Sequence, residues 1–283
     1  MNTPTIPASQ QNRLRAHFGF QALPFRKNVG AHQMFDSSSQ RELRLALPMW
    51  LTLKGLGLVT GPSGVGKSIT LRRFVAELPK DHFALFRFGQ IPTTPNGFLR
   101  ALCRRLSLPP RRYGTDMFDD VRAALSRWKG EHGVHPVLIM DDAEGMRAAT
   151  LDLVRRLTAA DLDEADHVSI LLVGTEGLLA TLREPSLEPL RTRFAYVHAL
   201  RPFTLEDTRN YVRYHVQHAG GVDSLITDDA VRRLFQASGG VPRVVNQLSL
   251  QALIHAVVHG VDQVDGGLMK RVLHAHPLFG QAA

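Results

Sequence analysis

The chain has 283 residues, of which 44% are hydrophobic and 21% are charged, and its formal net charge is +8. This length and composition exclude a disordered or fibrous chain and predict a globular protein with a sizeable core. The single cysteine, Cys103, excludes an internal disulfide framework and suits a reducing compartment. The excess of basic side chains favours a polyanionic partner such as nucleic acid.

No targeting or membrane signal is found in the sequence. Residues 1–11 are polar and lack the apolar centre of a secretory leader. No apolar run approaches the ~20 residues of a membrane helix. We therefore expect a cytoplasmic protein with no membrane partner. Residues 1–16 are expected to form a flexible N-terminal tail, followed by an irregular arm with aromatic residues that ends at Phe25.

Strand-like and helix-like segments alternate as far as residue 200. A serine-capped helix is predicted at 40–50, and further helices at 69–75, 96–106, 118–129 and 150–159. Apolar runs that predict strands lie at 56–60, 83–88, 136–140, 168–174 and 194–199. This alternation predicts an α/β domain at residues 17–200 whose parallel sheet is covered on both faces.

The pattern changes after residue 201, where strand signals end. Helices are predicted at 204–219, 227–237, 242–259 and 266–274. Thr204 and Thr227 stand where helix N-caps are expected. We therefore predict a small helical domain at residues 201–283.

A glycine-rich loop follows the first strand and fits G-x-x-x-x-G-K-[ST] at every fixed position. Its glycines permit a close backbone approach, so that N–H groups and the next helix N-terminus point at an anion. Lys67 is expected to reach the β- and γ-phosphates, and the Ser68 hydroxyl to ligate Mg²⁺. The predicted ATP-binding residues are Gly61, Pro62, Ser63, Gly64, Val65, Gly66, Lys67, Ser68 and Ile69.

Two carboxylates directly follow the third strand. Asp141 and Asp142 thus lie at the sheet edge where open α/β sheets bind ligands. Asp141 is expected to support Mg²⁺, and Asp142 to face the attacking water. Because Asp142 is shorter than the Glu that is common at this place, hydrolysis is expected to be slow. Glu144 either compensates for this or is a surface charge, and both alternatives stay open.

These motifs occur together with three further segments in a fixed order. Together the two motifs and the three further segments are 61–68, 137–144, 172–178, 190–194 and 239–246. In this order the chain resembles an AAA+ ATPase, and more narrowly the ExeA-like group and the transposition regulators of the TnsC/TniB kind, over roughly residues 17–260. The resemblance implies an α/β P-loop domain with a parallel sheet flanked by helices, a small α-helical lid domain, and ATP with Mg²⁺ as ligands.

The resemblance also implies roles for four residues outside the loop. Thr175 takes the sensor-1 place, where Asn is common, and Arg243 takes the sensor-2 place. Arg191 or Arg193 lies where an arginine finger would act on a neighbouring subunit's phosphates. Each residue also has a plain alternative: a strand-end threonine, an exposed first-turn arginine, or two solvated arginines.

Residues 97–130 carry eight basic and three acidic side chains. In the resembled transposition ATPases this part of the domain faces duplex DNA in a ring or filament. A solvated helix face is the alternative. No base-reading motif is found, so DNA binding is expected to tolerate any sequence and to weaken with salt. The predicted DNA ligands are Thr94, Arg104, Arg111, Arg112 and Thr115.

The resulting hypothesis is an ATP-dependent regulator of DNA transposition. It forms a homo-oligomeric ring or filament on double-stranded DNA and recruits a transposase, with a target-selection protein as a further partner. One alternative is a secretion-associated ATPase of the ExeA-like branch, which usually carries a membrane helix and a cell-wall-binding region that this sequence lacks. Another is a nucleotide-gated scaffold with little hydrolysis. The short side chain of Asp142 supports this alternative.

Overall fold

A computed structural model describes residues 8–26, 34–158 and 167–279. The described residues divide into two compact units. The α/β unit comprises residues 42–63 and 67–200. The helical unit comprises the residues up to Arg41, residues 64–66, and those from Arg201 onward.

A five-stranded parallel sheet forms the centre of the α/β unit, with strand order β2-β3-β4-β1-β5. The strands are β1 Leu56–Thr60, β2 Phe83–Phe88, β3 His135–Met140, β4 Ser169–Gly174 and β5 Phe194–Ala199. Every residue of β1, β3 and β4 is buried, whereas the two edge strands are partly exposed. The continuous apolar runs are explained by this burial, because a central parallel strand is covered on both faces.

The described residues also form helices, which occur in both units. They are α1 Ala8–Phe18, α2 Ser38–Leu53, α3 Lys67–Glu77, α4 Pro95–Arg105, α5 Gly114–His132, α6 Ala148–Thr158, α7 Glu176–Leu182, α8 Glu188–Arg191, α9 Leu205–His218, α10 Asp228–Ser238, α11 Pro242–Val258 and α12 Gly266–Ala275. Short 3-10 turns lie at Ala143–Gly145, Pro185–Leu187 and Asp223–Leu225. The helix predicted at 40–50 continues past Pro48 to Leu53.

The core of the α/β unit lies between the sheet and the helices. Phe98 and Leu102 of α4 and Met117 of α5 are buried in one cluster with Leu138 and Met140 of β3. The apolar faces of α4 and α5 are therefore buried. Their opposite faces, which carry the basic residues, are exposed to solvent.

The helical unit contains an N-terminal segment for which we predicted another structure. The predicted tail at residues 1–16 is wrong from Ala8 onward, where α1 begins, and residues 1–7 lie outside the described part. The described residues up to Arg41 are grouped with the helical unit, whereas the prediction begins the α/β domain at residue 17. The physical reason is apolar burial: Leu14, Phe20 and Phe25 share one buried cluster with residues of α9–α12.

Helix α9 begins with a reciprocal cap. The Asp207 N–H donates to Thr204 Oγ1 at 3.0 Å, and the Thr204 N–H donates to Asp207 Oδ2 at 3.2 Å. This arrangement satisfies two N–H groups that a helix start leaves unpaired. Across the described ranges, no helix combines the length and the apolar content needed to cross a membrane.

Candidate nucleotide site

The glycine loop joins β1 to α3 and is held close to other backbone. Gly64 has φ +82°, and a Cβ at this position would lie 2.7 Å from the Cβ of Arg243. The Arg243 N–H also donates to the Gly64 carbonyl at 3.3 Å, within the helical unit. A larger residue at position 64 would therefore be both strained and crowded. The sensor-2 role of Arg243 stays a prediction.

Lys67 is buried at the start of α3. Its Nζ donates to the carbonyl oxygens of Gly61 at 2.8 Å and Pro62 at 3.1 Å. An ammonium group has three donors, so one N–H remains for a phosphate oxygen.

Charges around Lys67 oppose the effect of its burial. Burial lowers the Lys67 pKa, while Glu144, Asp141, Asp142 and Glu176 raise it, in that order of strength. The carboxylates that follow β3 and the one that starts α7 therefore lie close enough to Lys67 to favour its charged form. This grouping of a phosphate-loop lysine with strand-end carboxylates is what phosphoryl chemistry requires.

The two adjacent aspartates differ in their surroundings. Asp141 is partly buried, and its N–H donates to the Phe88 carbonyl of β2 at 2.9 Å. Asp142 is exposed, and its backbone is left-handed with φ 59° and ψ 43°. Its N–H donates to Asp141 Oδ1 at 3.2 Å. The strand end thus fixes Asp141 more firmly than Asp142.

A divalent metal fits the donor set that this edge offers. The Ser68 hydroxyl is exposed in the first turn of α3, and Asp141 supplies a carboxylate. Both are hard oxygen donors, and Mg²⁺ needs only one or two protein carboxylates besides water and phosphate oxygens. Ser68 and Asp141 are therefore suitable Mg²⁺ ligands.

Thr175 lies at the end of β4 and contacts a carboxylate that the sequence left undecided. Its hydroxyl donates to Glu144 Oε1 at 3.4 Å. The other oxygen of Glu144, Oε2, is buried and has no hydrogen-bond partner among the described residues. The one sequence signal for Glu144 is its position three residues after Asp141, in a short turn that directly follows β3.

The two candidate finger residues have different environments. Arg191 Nη1 donates to the carbonyl oxygens of Leu182 at 2.8 Å and Glu184 at 2.9 Å. The Arg193 side chain is exposed and has no partner within residues 8–26, 34–158 and 167–279. The spacing of the two arginines in the sequence could not distinguish their roles. They differ because Arg191 is held by the turn between α7 and α8.

The predicted DNA ligands cluster on α4, α5 and their connecting loop. A Cβ on Gly114 would collide with the Asn96 side chain, so the first turns of α4 and α5 lie together. Thr94 caps α4 by accepting the Gly97 N–H at 3.3 Å. Thr115, in the first turn of α5, donates to Asp116 Oδ1 at 3.2 Å.

Arginines lie on α4 and in the loop that precedes α5, and they have different partners. Arg111 forms an ion pair with Asp120 at 2.8 Å, which raises the Arg111 pKa through that hydrogen bond. The Arg112 guanidinium lies 5.6 Å from the ring centroid of its neighbour Tyr113. Arg104 is exposed in the last turn of α4. Their DNA-binding roles stay predictions.

Comparison with known families and sequences finds a family match and a sequence relative. Residues 51–182 match the family described as "AAA domain". General secretion pathway protein A of Aeromonas hydrophila is 31% identical over 218 residues. The match covers 73% of this chain and 39% of that protein. The chain therefore spans well under half the length of this relative.

Solved structures share the fold. Cdc6p from Pyrobaculum aerophilum superposes with a TM-score of 0.58 at 21% identity, covering 88% of this chain and 68% of that one. Drosophila ORC bound to DNA superposes with a TM-score of 0.63 at 15% identity, covering 96% of this chain and 68% of that one. At such identities the likeness concerns the fold alone.

The fold is that of the AAA+ P-loop ATPases, with a parallel five-stranded sheet flanked by helices and a helical C-terminal part. This confirms the predicted fold class. The matched AAA domain and the secretion-pathway relative further support an AAA+ ATPase. Such a fold implies nucleotide binding with a divalent metal ion.

Proposed function

We propose that this protein is an ATPase whose subunits assemble on duplex DNA when they bind ATP and that regulates a transposase. One observation carries the nucleotide-binding part of the proposal: the Lys67 Nζ donates to the loop carbonyls of Gly61 and Pro62, and the carboxylates that follow β3 lie near enough to raise its pKa. A buried phosphate-loop lysine beside strand-end carboxylates is the arrangement that binding of a triphosphate with its metal needs.

The chain's own residues divide the work at this site. The loop N–H groups and Lys67 hold the phosphates, and Ser68 with Asp141 holds Mg²⁺. When bound, Mg²⁺ neutralises charge on the phosphate oxygens. Thr175 orients water from the neighbouring strand end, as sensor-1 residues do in the family that the sequence resembles.

Self-assembly is proposed from Arg193. An exposed guanidinium without a partner in the described chain can reach the phosphates of an adjacent subunit, as arginine fingers do. Arg193 directly precedes β5, so its backbone is fixed by an edge strand. ATP would then lie between two copies of the chain, and assembly would depend on the nucleotide.

DNA binding is proposed from the adjoining first turns of α4 and α5. Exposed arginines and two threonines surround them, and helix N-termini favour phosphate groups. Recruitment of a transposase and of a target-selection protein follows from the resemblance to the TnsC/TniB regulators.

A DNA-binding measurement tests this function. Fluorescence anisotropy with a labelled duplex of arbitrary sequence compares a slowly hydrolysed ATP analogue, ADP and no nucleotide. We expect tight binding with the analogue alone, and a loss of at least about tenfold in Arg111→Glu/Arg112→Glu, since phosphate contacts dominate affinity. The control Arg232→Glu/Lys270→Glu makes the same charge change on α10 and α12. Binding that ignores both nucleotide and the first variant would refute the proposal.

A second candidate function is ATPase activity that serves secretion. The observation that favours it is the 31% identity to general secretion pathway protein A over 218 residues. This candidate predicts that the protein sediments with membranes in cell extracts and that its loss impairs protein export. The DNA-bound regulator instead predicts a protein released from membranes whose loss impairs transposition.

A further inference from the structure

We propose that Glu144, rather than Asp142, is the carboxylate that accepts the proton of the attacking water during ATP hydrolysis. The inference rests on the proposed ATPase function and assigns one role within it. It concerns a residue that the sequence could not distinguish from a surface charge.

One carboxylate oxygen of Glu144 has no hydrogen-bond partner among the described residues. Glu144 Oε2 is buried without a hydrogen-bond partner in the described ranges, although Oε1 accepts from Thr175. A buried acceptor that makes no hydrogen bond is costly, and such atoms in a native fold usually await a ligand or a water. A Cβ added to Gly174 would lie 3.0 Å from Oε2. The end of β4 therefore closes over this oxygen on one side.

The Glu144 carboxylate also acts electrostatically on Lys67. Of the four carboxylates that act on Lys67, Glu144 has the strongest effect, and Asp142 comes third. Because Lys67 marks where the terminal phosphates would bind, Glu144 is the carboxylate most strongly coupled to that position. Asp142 is exposed on a left-handed backbone, and its shorter side chain has less reach.

The hydrogen bond of Thr175 decides which of its groups remain for a water molecule. Its single hydroxyl proton is donated to Glu144 Oε1, so only its lone pairs remain for a water molecule. Thr175 Oγ1 and Glu144 Oε2 then present two acceptors to the two protons of one water. A water held by both acceptors would have its lone pair directed away from them, where the proposal places the γ-phosphorus.

Hydrolysis with these groups needs one water molecule as nucleophile and Glu144 as proton acceptor. The water oxygen forms a bond to the γ-phosphorus, and the bond from that phosphorus to the β,γ-bridging oxygen breaks. Its electron pair leaves with ADP. One water proton moves to Glu144 Oε2 and is then released to the phosphate product or to solvent. No oxidant or further reactant is needed.

Isosteric variants test the assignment. The steady-state rate of ATP hydrolysis, with and without duplex DNA, is measured for wild type, Glu144→Gln and Asp142→Asn, together with the Kd of a fluorescent ATP analogue. We expect Glu144→Gln to lower kcat by about 100-fold or more, the usual size of a general-base contribution, with the Kd changed less than threefold. Asp142→Asn is expected to lower kcat less than tenfold.

Thr175 separates a chemical role from a merely structural one. Thr175→Ser keeps the hydroxyl and is expected to retain kcat within threefold, whereas Thr175→Val removes it and is expected to lower kcat without changing the Kd or the thermal unfolding midpoint. Glu144→Gln with wild-type kcat would overturn the inference while the ATPase function stands. Wild type that binds the analogue but never hydrolyses ATP would overturn the ATPase function itself, and this assignment with it.

Discussion

Arg191 Nη1 donates a hydrogen bond to the carbonyl oxygen of Glu184 at 2.9 Å, and the same nitrogen also donates to the Leu182 carbonyl. These contacts tie the end of α8 to the end of α7 and the turn that follows it. Arg193, two residues further on, makes no such contact within the described residues. The two arginines that the sequence presents as equivalent therefore have separate roles: we expect Arg191 to stabilise the fold and Arg193 to act on a neighbouring subunit.

Substitution of each arginine should separate these roles. Arg193→Ala is expected to lower kcat for ATP hydrolysis by about 1000-fold, the lower end of the range for arginine fingers, with no change in thermal unfolding. Arg191→Ala is expected to lower the unfolding midpoint by about 2–4 °C, since it removes hydrogen bonds worth ~1 kcal/mol. Differential scanning fluorimetry and a phosphate-release assay measure the two effects.

Mixing of two inactive variants tests whether Arg193 acts in trans. Lys67→Ala lacks a working phosphate loop but keeps the arginine, and Arg193→Ala has the reverse defect. An equal mixture should recover part of the activity, because some interfaces combine the intact halves. A mixture as inactive as its components would count against a shared site.

A second prediction concerns nucleotide binding at Lys67. Ligand that binds only the folded state stabilises it by about 2.7 kcal/mol at 100 times the Kd. ATP with Mg²⁺ should therefore raise the unfolding midpoint of wild type but not that of Lys67→Ala. The control is Lys54→Ala, which changes an α/β-unit lysine outside the loop. Equal shifts in all three proteins would place the nucleotide elsewhere.

A third prediction concerns pH and His215. This side chain is buried in the helical unit against Tyr211, with ring centroids 4.4 Å apart, and burial lowers its pKa from 6.5 to about 4. Between these values the unfolded chain binds the proton and the folded chain does not, so stability is present above pH 6.5 and is lost as the pH falls toward 4.

The size of this effect is measurable by chemical denaturation. The contribution of His215 to the free energy of unfolding should fall by about 2 kcal/mol between pH 7 and pH 5. His215→Leu should lose this component of the pH dependence, whereas His274→Leu, at an exposed position of α12, should keep it. Identical pH profiles for wild type and His215→Leu would show that His215 does not stay neutral in the fold.

The sequence predicted the α/β core well because its signals are local. Every predicted strand lies within one residue of an observed one, since buried parallel strands are continuous apolar runs. Helix α1 was missed because its apolar residues are few and their partners lie in the C-terminal helices. Helices α7 and α8 were missed because seven and four residues carry too little periodicity.

Some parts of the candidate site likewise depend on local sequence signals, and other parts depend on the fold. The loop and Asp141 are predicted from a motif and a strand end, which are local signals, and their roles stay predictions. The pairing of Glu144 with Thr175 joins the ends of two strands that are 31 residues apart, and only the sheet brings them together. The difference between Arg191 and Arg193 depends on backbone carbonyls, which no pattern of side chains reveals.

A fourth prediction concerns the basic residues. The Arg111 side chain is already paired with Asp120 at 2.8 Å, whereas the Arg112 guanidinium lies 5.6 Å from the ring centroid of Tyr113. Arg112→Ala should therefore weaken DNA binding more than Arg111→Ala does. Asp120→Asn should strengthen it by releasing Arg111.

Salt titration of these variants gives the number of phosphate contacts. Each lost contact should reduce the slope of log affinity against log salt by about 0.9. If Arg111→Ala and Arg112→Ala leave both the affinity and the slope at wild-type values, this loop does not face DNA.

Electron microscopy of the purified protein with duplex DNA and a slowly hydrolysed ATP analogue tests the central claim most directly. We expect rings or helical filaments around the duplex, with the glycine loop of one subunit facing Arg193 of the next, and dispersed particles with ADP or with Lys67→Ala. Dispersed particles under every condition, with the analogue bound, would contradict an ATP-driven assembly on DNA.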